Sequence, residues 1–362
     1  MQKDLPKIDL ENVDAERICI IKPSALGDIV QTLPLLSVLH ERFPRAQVDW
    51  VVSSQLANIL EDHPLLHRLH LYNRKGGAKE SFNLLRQLRK ERFDLVFDLQ
   101  GLLRSAVMTL ATGASKRIGL ETAREGSRFA CHQIIEKTSR DIPAYARYWR
   151  VAEALGMAHL QPNTIVPVRE EETFWATRQL STLSTPCMAI HAGAQWKTKR
   201  LPVEKFAAVA SRLSREQDYS ILIIGGPSET EITSKLETLI KKMSPSARVL
   251  NLSGQTTLKQ LAALLSQVTF LLSNDSGPMH LAAGLGKPVV GVFTCTSPHR
   301  SGPAGSGHEL IASQLPCAAS YKKNCPHAGS QQMACLEEIQ TEQVWQAVMR
   351  LIEREQKREF AA

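Results

Sequence analysis

SNDSGPMHLAAGLGKPVVGVF, residues 273–293, follows an apolar run at 268–272 and breaks at Asn274-Asp275-Ser276-Gly277. A short stretch of small residues with helical spacing comes next, then Gly286-Lys287-Pro288, then a second apolar run at 289–293. Strand, turn, helix, turn and strand in so short a span predict one crossover of a parallel sheet. The turn puts Asp275 or Ser276 at the helix N-cap. Unpaired backbone N–H groups and the positive end of the dipole coincide there and favour an anion. Gly277, Ala282, Ala283 and Gly284 let a ligand or a neighbouring strand approach closely. Capping residues occur at most helix starts, so an ordinary capped connector reads equally well from this segment alone.

The same alternation extends over the chain. Strands are predicted at 18–21, 48–52, 68–71 and 95–99, with helices at 28–42, at 80–90 and after Gly101. The pattern fades into a polar stretch at 161–172. It resumes with a strand at 188–191, a helix at 203–215 and strands at 220–224, 248–252, 268–272 and 289–293. Alternation of this kind builds parallel sheets with helices on both faces. Two doubly wound α/β domains are expected, 1–165 and 166–340, followed by a helix at 341–362 that can pack back on either, the N-terminal one included. In such sheets ligands bind outside the carboxyl ends of the strands.

The chain has 362 residues, 43% hydrophobic and 22% charged, with a net charge of +8. No apolar run approaches the ~20 residues needed to cross a bilayer. The first nineteen residues are acidic and polar, unlike a secretory signal, so a cytoplasmic protein is expected. Between Arg68 and Arg150 stand 17 Lys/Arg against 8 Asp/Glu, so the basic excess belongs to the first domain. That excess points to an anionic partner. Nucleic acid is disfavoured, because aromatic interleaving, a recognition helix and zinc-finger spacing are all missing. An anionic lipid or saccharide at a membrane surface fits the charge. Of seven cysteines, Cys317, Cys325 and Cys335 share a loop-rich region with His327 but form no CxxC pair, which favours reduced thiols over a metal site.

Three loops at predicted strand ends carry candidate chemistry. Residues 22–28, KPSALGD, lead from the first strand into the first helix; Gly27 permits a tight turn, and Asp28 either caps the helix or serves as a base. Residues 191–202, HAGAQWKTKRLP, place three cations in four positions, with Gly193 for close approach and Lys199 suited to a diphosphate. Residues 224–231, IGGPSETE, end another strand with a carboxylate, Glu229, able to meet ribose hydroxyls. GxGxxG and Walker motifs are absent, which argues against a dehydrogenase or a P-loop NTPase.

Together these segments resemble the lipopolysaccharide heptosyltransferases of glycosyltransferase family nine. The resemblance rests on Ser24–Asp28 with Thr32-Leu33-Pro34, on residues 98–106 (DLQGLLRSA) and 122–125 (TARE), and on Lys199-Arg200-Leu201-Pro202. Gly225-Gly226-Pro227 and Asn274-Asp275-Ser276-Gly277 with His280 complete it. It covers roughly residues 17 to 350; the 100–106 and 122–125 pieces lean towards the enzymes that add the first heptose to Kdo on lipid A (heptosyltransferase I).

The resemblance implies a GT-B fold, two Rossmann-like doubly wound domains facing each other across a cleft, the first for acceptor and the second for donor. It implies an inverting transfer of L-glycero-D-manno-heptose from ADP-heptose to the Kdo/inner-core region, with no metal or other cofactor. Asp28 would be the general base, and Lys199 would offset charge on the departing ADP. Gly193, Ala194, Lys197, Glu229, Asp275, Ser276, Gly277 and His280 would hold the donor; Ser24, Gly27, Arg104, Arg124 and Arg147 would meet the anionic glycolipid acceptor. Peripheral contact with the cytoplasmic face of the inner membrane follows from such an acceptor. Two features depart from the first-heptose pattern: Leu201 stands where the family often carries Trp, and residues 295–335 are rich in Cys, Pro and Gly, as in other branches. Another family-nine transferase (heptosyltransferase II or III type, or one for a different sugar), a sugar-nucleotide epimerase of the same fold and a non-catalytic glycolipid-binding protein are the alternatives.

Overall fold

Every apolar run read as a strand is one, and all the strands pair in parallel. The computed structural model describes residues 8–361, so the first seven residues of the expected N-terminal domain and residue 362 lie outside the described residues. The chain divides into two units, Met1–Pro167 and Val168–Ala362.

The first unit contains β1 (Arg17–Ile21), α1 (Leu26–Thr32), α2 (Pro34–Arg42), β2 (Gln47–Ser53), β3 (Arg68–Tyr72) and α3 (Gly77–Lys90). It continues with β4 (Leu95–Asp98), α4 (Leu103–Thr112), β5 (Lys116–Leu120), β6 (Gln133–Ile135) and α5 (Ala144–Ala154). Its sheet order is β3-β2-β1-β4-β5-β6. The predicted helix 28–42 is two helices, because Pro34 has no N–H and opens a new helix at its first position.

The second unit contains α6 (Glu170–Leu180), β7 (Cys187–His191), α7 (Val203–Gln217), β8 (Ser220–Ile223), α8 (Thr230–Met243), β9 (Val249–Asn251) and α9 (Leu258–Gln267). After these come β10 (Phe270–Asn274), α10 (Gly277–Gly284), β11 (Val289–Phe293), α11 (Pro298–Ser301), β12 (Glu309–Ala312), α12 (Ala334–Glu338) and α13 (Thr341–Ala361). Its sheet order is β12-β11-β10-β7-β8-β9. The strand predicted at 268–272 runs two residues later, since Asn274 still pairs with Val292.

Helix α13 packs on α7, β11 and β12 of its own unit. Val344, Trp345, Ala347, Val348, Leu351 and Ile352 join the core around Phe206 and Phe270. The apolar stripe of the first half of this helix is buried within the second unit.

In each sheet the strand order reverses once, between β1 and β4 in the first and between β7 and β10 in the second. Such reversals leave a crevice beyond the carboxyl ends of the two strands, where open α/β sheets bind ligands. Ile21 is in register with Asp98, and His191 with Ser273, so the loops after these strands leave their sheets side by side.

Candidate active site

At the first crevice, Lys22 follows β1 and turns inward. Its Nζ donates to Leu99 O at 3.0 Å, lies 5.0 Å from the Tyr148 ring centroid and stands 3.8 Å from Asp28 Oδ2. Burial lowers the pKa of this amine, against the pull of Asp28; the charges of Arg147 and Arg104 lower it further.

Asp28 is the third residue of α1, and its Oδ2 accepts from Ala25 N–H at 3.3 Å, so it does help cap the helix. Its other oxygen, Oδ1, accepts from the Tyr148 hydroxyl at 2.7 Å, and the side chain remains 36% exposed. Capping and an open carboxylate coexist. Burial, then the neighbouring Asp28 charge, pushes the Tyr148 phenol well above its ordinary range, which keeps it a donor.

Asp98 organises the adjoining loop. Its Oδ1 accepts from Gln100 N and Gly101 N, both at 3.0 Å, and its Oδ2 from Ser105 Oγ at 2.9 Å. Burial raises its pKa against these bonds. Gly101 has φ +65°, and a Cβ there would come within 2.9 Å of Ala123 Cα. That close approach seats residues 122–125 on the start of α4: Arg124 N donates to Gly101 O, and Leu103 N to Glu125 Oε2. The two motifs are one structural piece.

Ser24 is tied to it through its N–H, which donates to Gln100 Oε1 at 3.2 Å, and Gly27 is buried inside α1. The Nε atoms of Arg104 and Arg147 are buried without a hydrogen-bond partner among the described residues. Two guanidinium groups so placed, close enough to bear on Lys22, suit an anionic ligand. Arg124 is exposed on the docked loop.

At the second crevice, Lys199 Nζ is 2.7 Å from Asp275 Oδ2 and 4.8 Å from the Trp196 ring centroid. Asp275 is buried, so its carboxylate serves Lys199 and Ser276 takes the N-cap position of α10. Asn274 locks the loop after β7 to the end of β10: its Oδ1 accepts from Leu201 N at 3.2 Å and its Nδ2 donates to Ala192 O at 2.8 Å. Arg200 Nε donates to Ala194 O at 2.7 Å, and Leu201 is fully buried. The Cys-rich segment braces the same loop, since Thr198 Oγ1 donates to Lys322 O at 2.9 Å and Thr198 O accepts from Thr294 Oγ1 at 2.6 Å. Lys197 is exposed on this loop.

His191, at the end of β7, joins two predicted donor residues. Its Nδ1 lies 2.9 Å from Ser276 Oγ and its Nε2 3.1 Å from Glu229 Oε2. Burial raises the Glu229 carboxyl, but the bonds from His191 and from Gly226 N–H outweigh it, leaving its pKa below the ordinary value. A Cβ on Gly193 would fall 1.9 Å from Glu229 Oε1, so glycine is what admits the carboxylate here. Gly277 opens α10, and His280 is buried within its first turns. The structure thus gathers Gly193, Glu229, Ser276, Lys199 and Asp275 around one helix start. Lys22, Tyr148 and His191 are residues that the sequence did not single out. Lys22 and His191 each open a loop read there as a candidate, and a histidine ending a buried apolar strand was the available signal for the latter; nothing marked Tyr148.

Among the described residues, one group has metal-ligand spacing: Asp49, His70 and Glu91, with ligand atoms within 4.8 Å of one another. The Arg17 guanidinium lies 2.6 Å from Glu91 and 3.6 Å from Asp49, so a cation already occupies that position.

Two doubly wound units, each with polar side chains collected at the reversal of its sheet, are the architecture of the GT-B class, and the family match makes the chain a glycosyltransferase of that class. Residues 81–330 match the model described as glycosyltransferase family 9 (heptosyltransferase), and the chain belongs to that family. It is 28% identical to the lipopolysaccharide core heptosyltransferase OpsX of Haemophilus influenzae over 82% of this chain and 84% of that one. It is also 28% identical to lipopolysaccharide heptosyltransferase 1 of Pseudomonas aeruginosa, over 90% and 92%. The structure titled Escherichia coli ADP-heptose lps heptosyltransferase II shares the fold, with a TM-score of 0.74 at 24% identity over 94% of this chain and 99% of that one. The family match sets aside the epimerase and the non-catalytic alternatives.

Proposed function

We propose that this chain transfers L-glycero-D-manno-heptose from ADP-heptose to the Kdo/inner-core region of a lipid A-anchored acceptor, with inversion and without a metal. The observation that carries the reading is Asp28: a partly open carboxylate held by Tyr148, with Lys22, Arg104 and Arg147 around it. Such a site suits a hydroxyl on an anionic sugar. The relatives, heptosyltransferases 1 and II among them, support an ADP-heptose donor and a lipopolysaccharide acceptor.

In this reaction the acceptor oxygen bonds to the anomeric carbon as the bond from that carbon to ADP breaks. The hydroxyl proton passes to Asp28. Lys199 and the first N–H groups of α10 offset the charge gathering on ADP, a role for fixed donors that needs no ion. Asp275 holds the ammonium of Lys199 in place, and Glu229 faces the ribose. No nucleic-acid partner enters, and the enzyme works at the cytoplasmic face of the inner membrane.

A second reading, addition of a later heptose, is favoured by the Cys-rich segment braced against Thr198, which departs from the first-heptose pattern. A donor screen of ADP-heptose against UDP- and GDP-sugars, with Kdo-lipid A and with a heptosylated core as acceptors, tests both. Product from ADP-heptose on Kdo-lipid A, undiminished in EDTA, is the expected result. Activity that EDTA abolishes and magnesium restores contradicts the metal-free mechanism.

A further inference from the structure

Helix α4 leaves apolar side chains in solvent on the face away from the core. Leu103, Val107 and Leu110 are 58%, 45% and 53% exposed, while Ala106, Met108 and Thr109 are buried beneath them. The spacing of four and then three residues puts the exposed trio on one stripe of the helix. Beside it, the 3-10 turn Ser127–Ala130 packs on α4 and carries Phe129, 75% exposed. Isolated exposed apolar residues are ordinary; a contiguous stripe extended by an exposed phenylalanine marks a contact surface.

Cations border it. Arg128 precedes Phe129 and is exposed, and the Arg89 guanidinium reaches from α3 to Gly113, just past the end of α4. An exposed acidic group at the start of the helix, Glu125, is turned to the Leu103 N–H. We infer that this face of α4, with Phe129, docks on an anionic lipid bilayer. The apolar side chains enter the boundary between headgroups and acyl chains, and the arginines meet the phosphates. A second copy of the chain is a poorer partner, because a two-fold contact would bring the same cations against each other. No helix among the described residues is long and apolar enough to cross a membrane, so attachment through such a face is peripheral.

The inference rests on the proposed acceptor only for its purpose: α4 begins beside Arg104, so docking would bring a membrane-anchored sugar to the first crevice. Binding itself is measured without any acceptor. The full-length protein is sedimented with phosphatidylcholine vesicles and with vesicles containing phosphatidylglycerol. The expected result is binding to the anionic vesicles, weakened at least tenfold in V107S/L110S/F129S and, separately, in R89Q/R128Q. All of these side chains are exposed at the surface and lie apart from the reaction chemistry, so ADP binding and turnover of a water-soluble, deacylated acceptor stay unchanged. Wild-type protein that ignores anionic vesicles, variants that bind them as wild type does, or loss of self-association with vesicle binding intact would each overturn the inference. Failure of heptosyl transfer alone overturns the functional reading and leaves this surface standing.

Discussion

The Tyr148 hydroxyl donates to Asp28 Oδ1 at 2.7 Å, joining α5 to α1 at the mouth of the first crevice. The bond fixes one carboxylate oxygen, while the other is shared between Ala25 N–H and the approach of Lys22. On the proposed reading, a carboxylate so held needs no rotation before it accepts a proton.

Tyr148→Phe keeps the ring that packs on Lys22 and removes this bond. A hydrogen bond to a charged group is worth about 1.5–3 kcal/mol, so kcat should fall roughly 10- to 100-fold. The KM for the nucleotide sugar should not change, since the residues proposed to hold the donor lie in the other unit. A merely structural role for Tyr148 would lower thermal stability and leave the kcat of the folded fraction intact.

Lys199→Ala should weaken ADP binding and turnover together, and it should also destabilise the protein. Asp275 is 4% exposed, and removing one partner of a buried pair costs about 3–5 kcal/mol. The double variant Lys199→Ala/Asp275→Ala should recover much of that stability and none of the activity. Urea melts and nucleotide calorimetry on the three proteins separate the two effects.

Gly193→Ala places a methyl group where the Glu229 carboxylate now sits. That side chain can swing away, so the fold should survive while ADP affinity falls roughly 10- to 100-fold, the worth of one lost hydrogen bond to a charged group. Unchanged ADP affinity in this variant would remove Glu229 from the ribose contact.

Asp49 carries a pH dependence of stability. Burial alone would raise its pKa, but hydrogen bonds from His70 and His67, together with the Arg17 charge, bring it below the ordinary value of 3.8. A carboxyl depressed in the folded state binds fewer protons there than in the unfolded chain. Its stabilisation is present above about pH 3.8 and is lost as pH falls through the folded value. Asp49→Asn should therefore flatten the fall in stability below about pH 4, read from denaturant melts over a pH series.

Much of this was legible in the residues. The strands around Ile20, Val51 and Val290 lie in fully buried runs rich in β-branched residues, which leave little alternative to a parallel sheet. Strands β5, β6 and β12 escaped notice: β6 and β12 are short edge strands with half-exposed side chains, and β5 opens on two half-buried cations, Lys116 and Arg117, that break the apolar run. Helix α6 escaped because Ala176 alone among its residues is buried, too little to set a period. At the site, Asp28, Lys199 and Asp275 announced themselves through turns at strand ends. Tyr148 and His191 did not, because their partners lie 120 and 85 residues away in sequence, and only the sheet order brings them together.

The most direct measurement is single-turnover transfer from ADP-heptose to Kdo-lipid A by Asp28→Ala beside wild type, with ADP affinity measured on both. General-base catalysis contributes about 10²–10⁴-fold, so the variant should lose at least a hundredfold in rate while binding ADP as tightly as before. Transfer by Asp28→Ala at near wild-type rate would contradict the account.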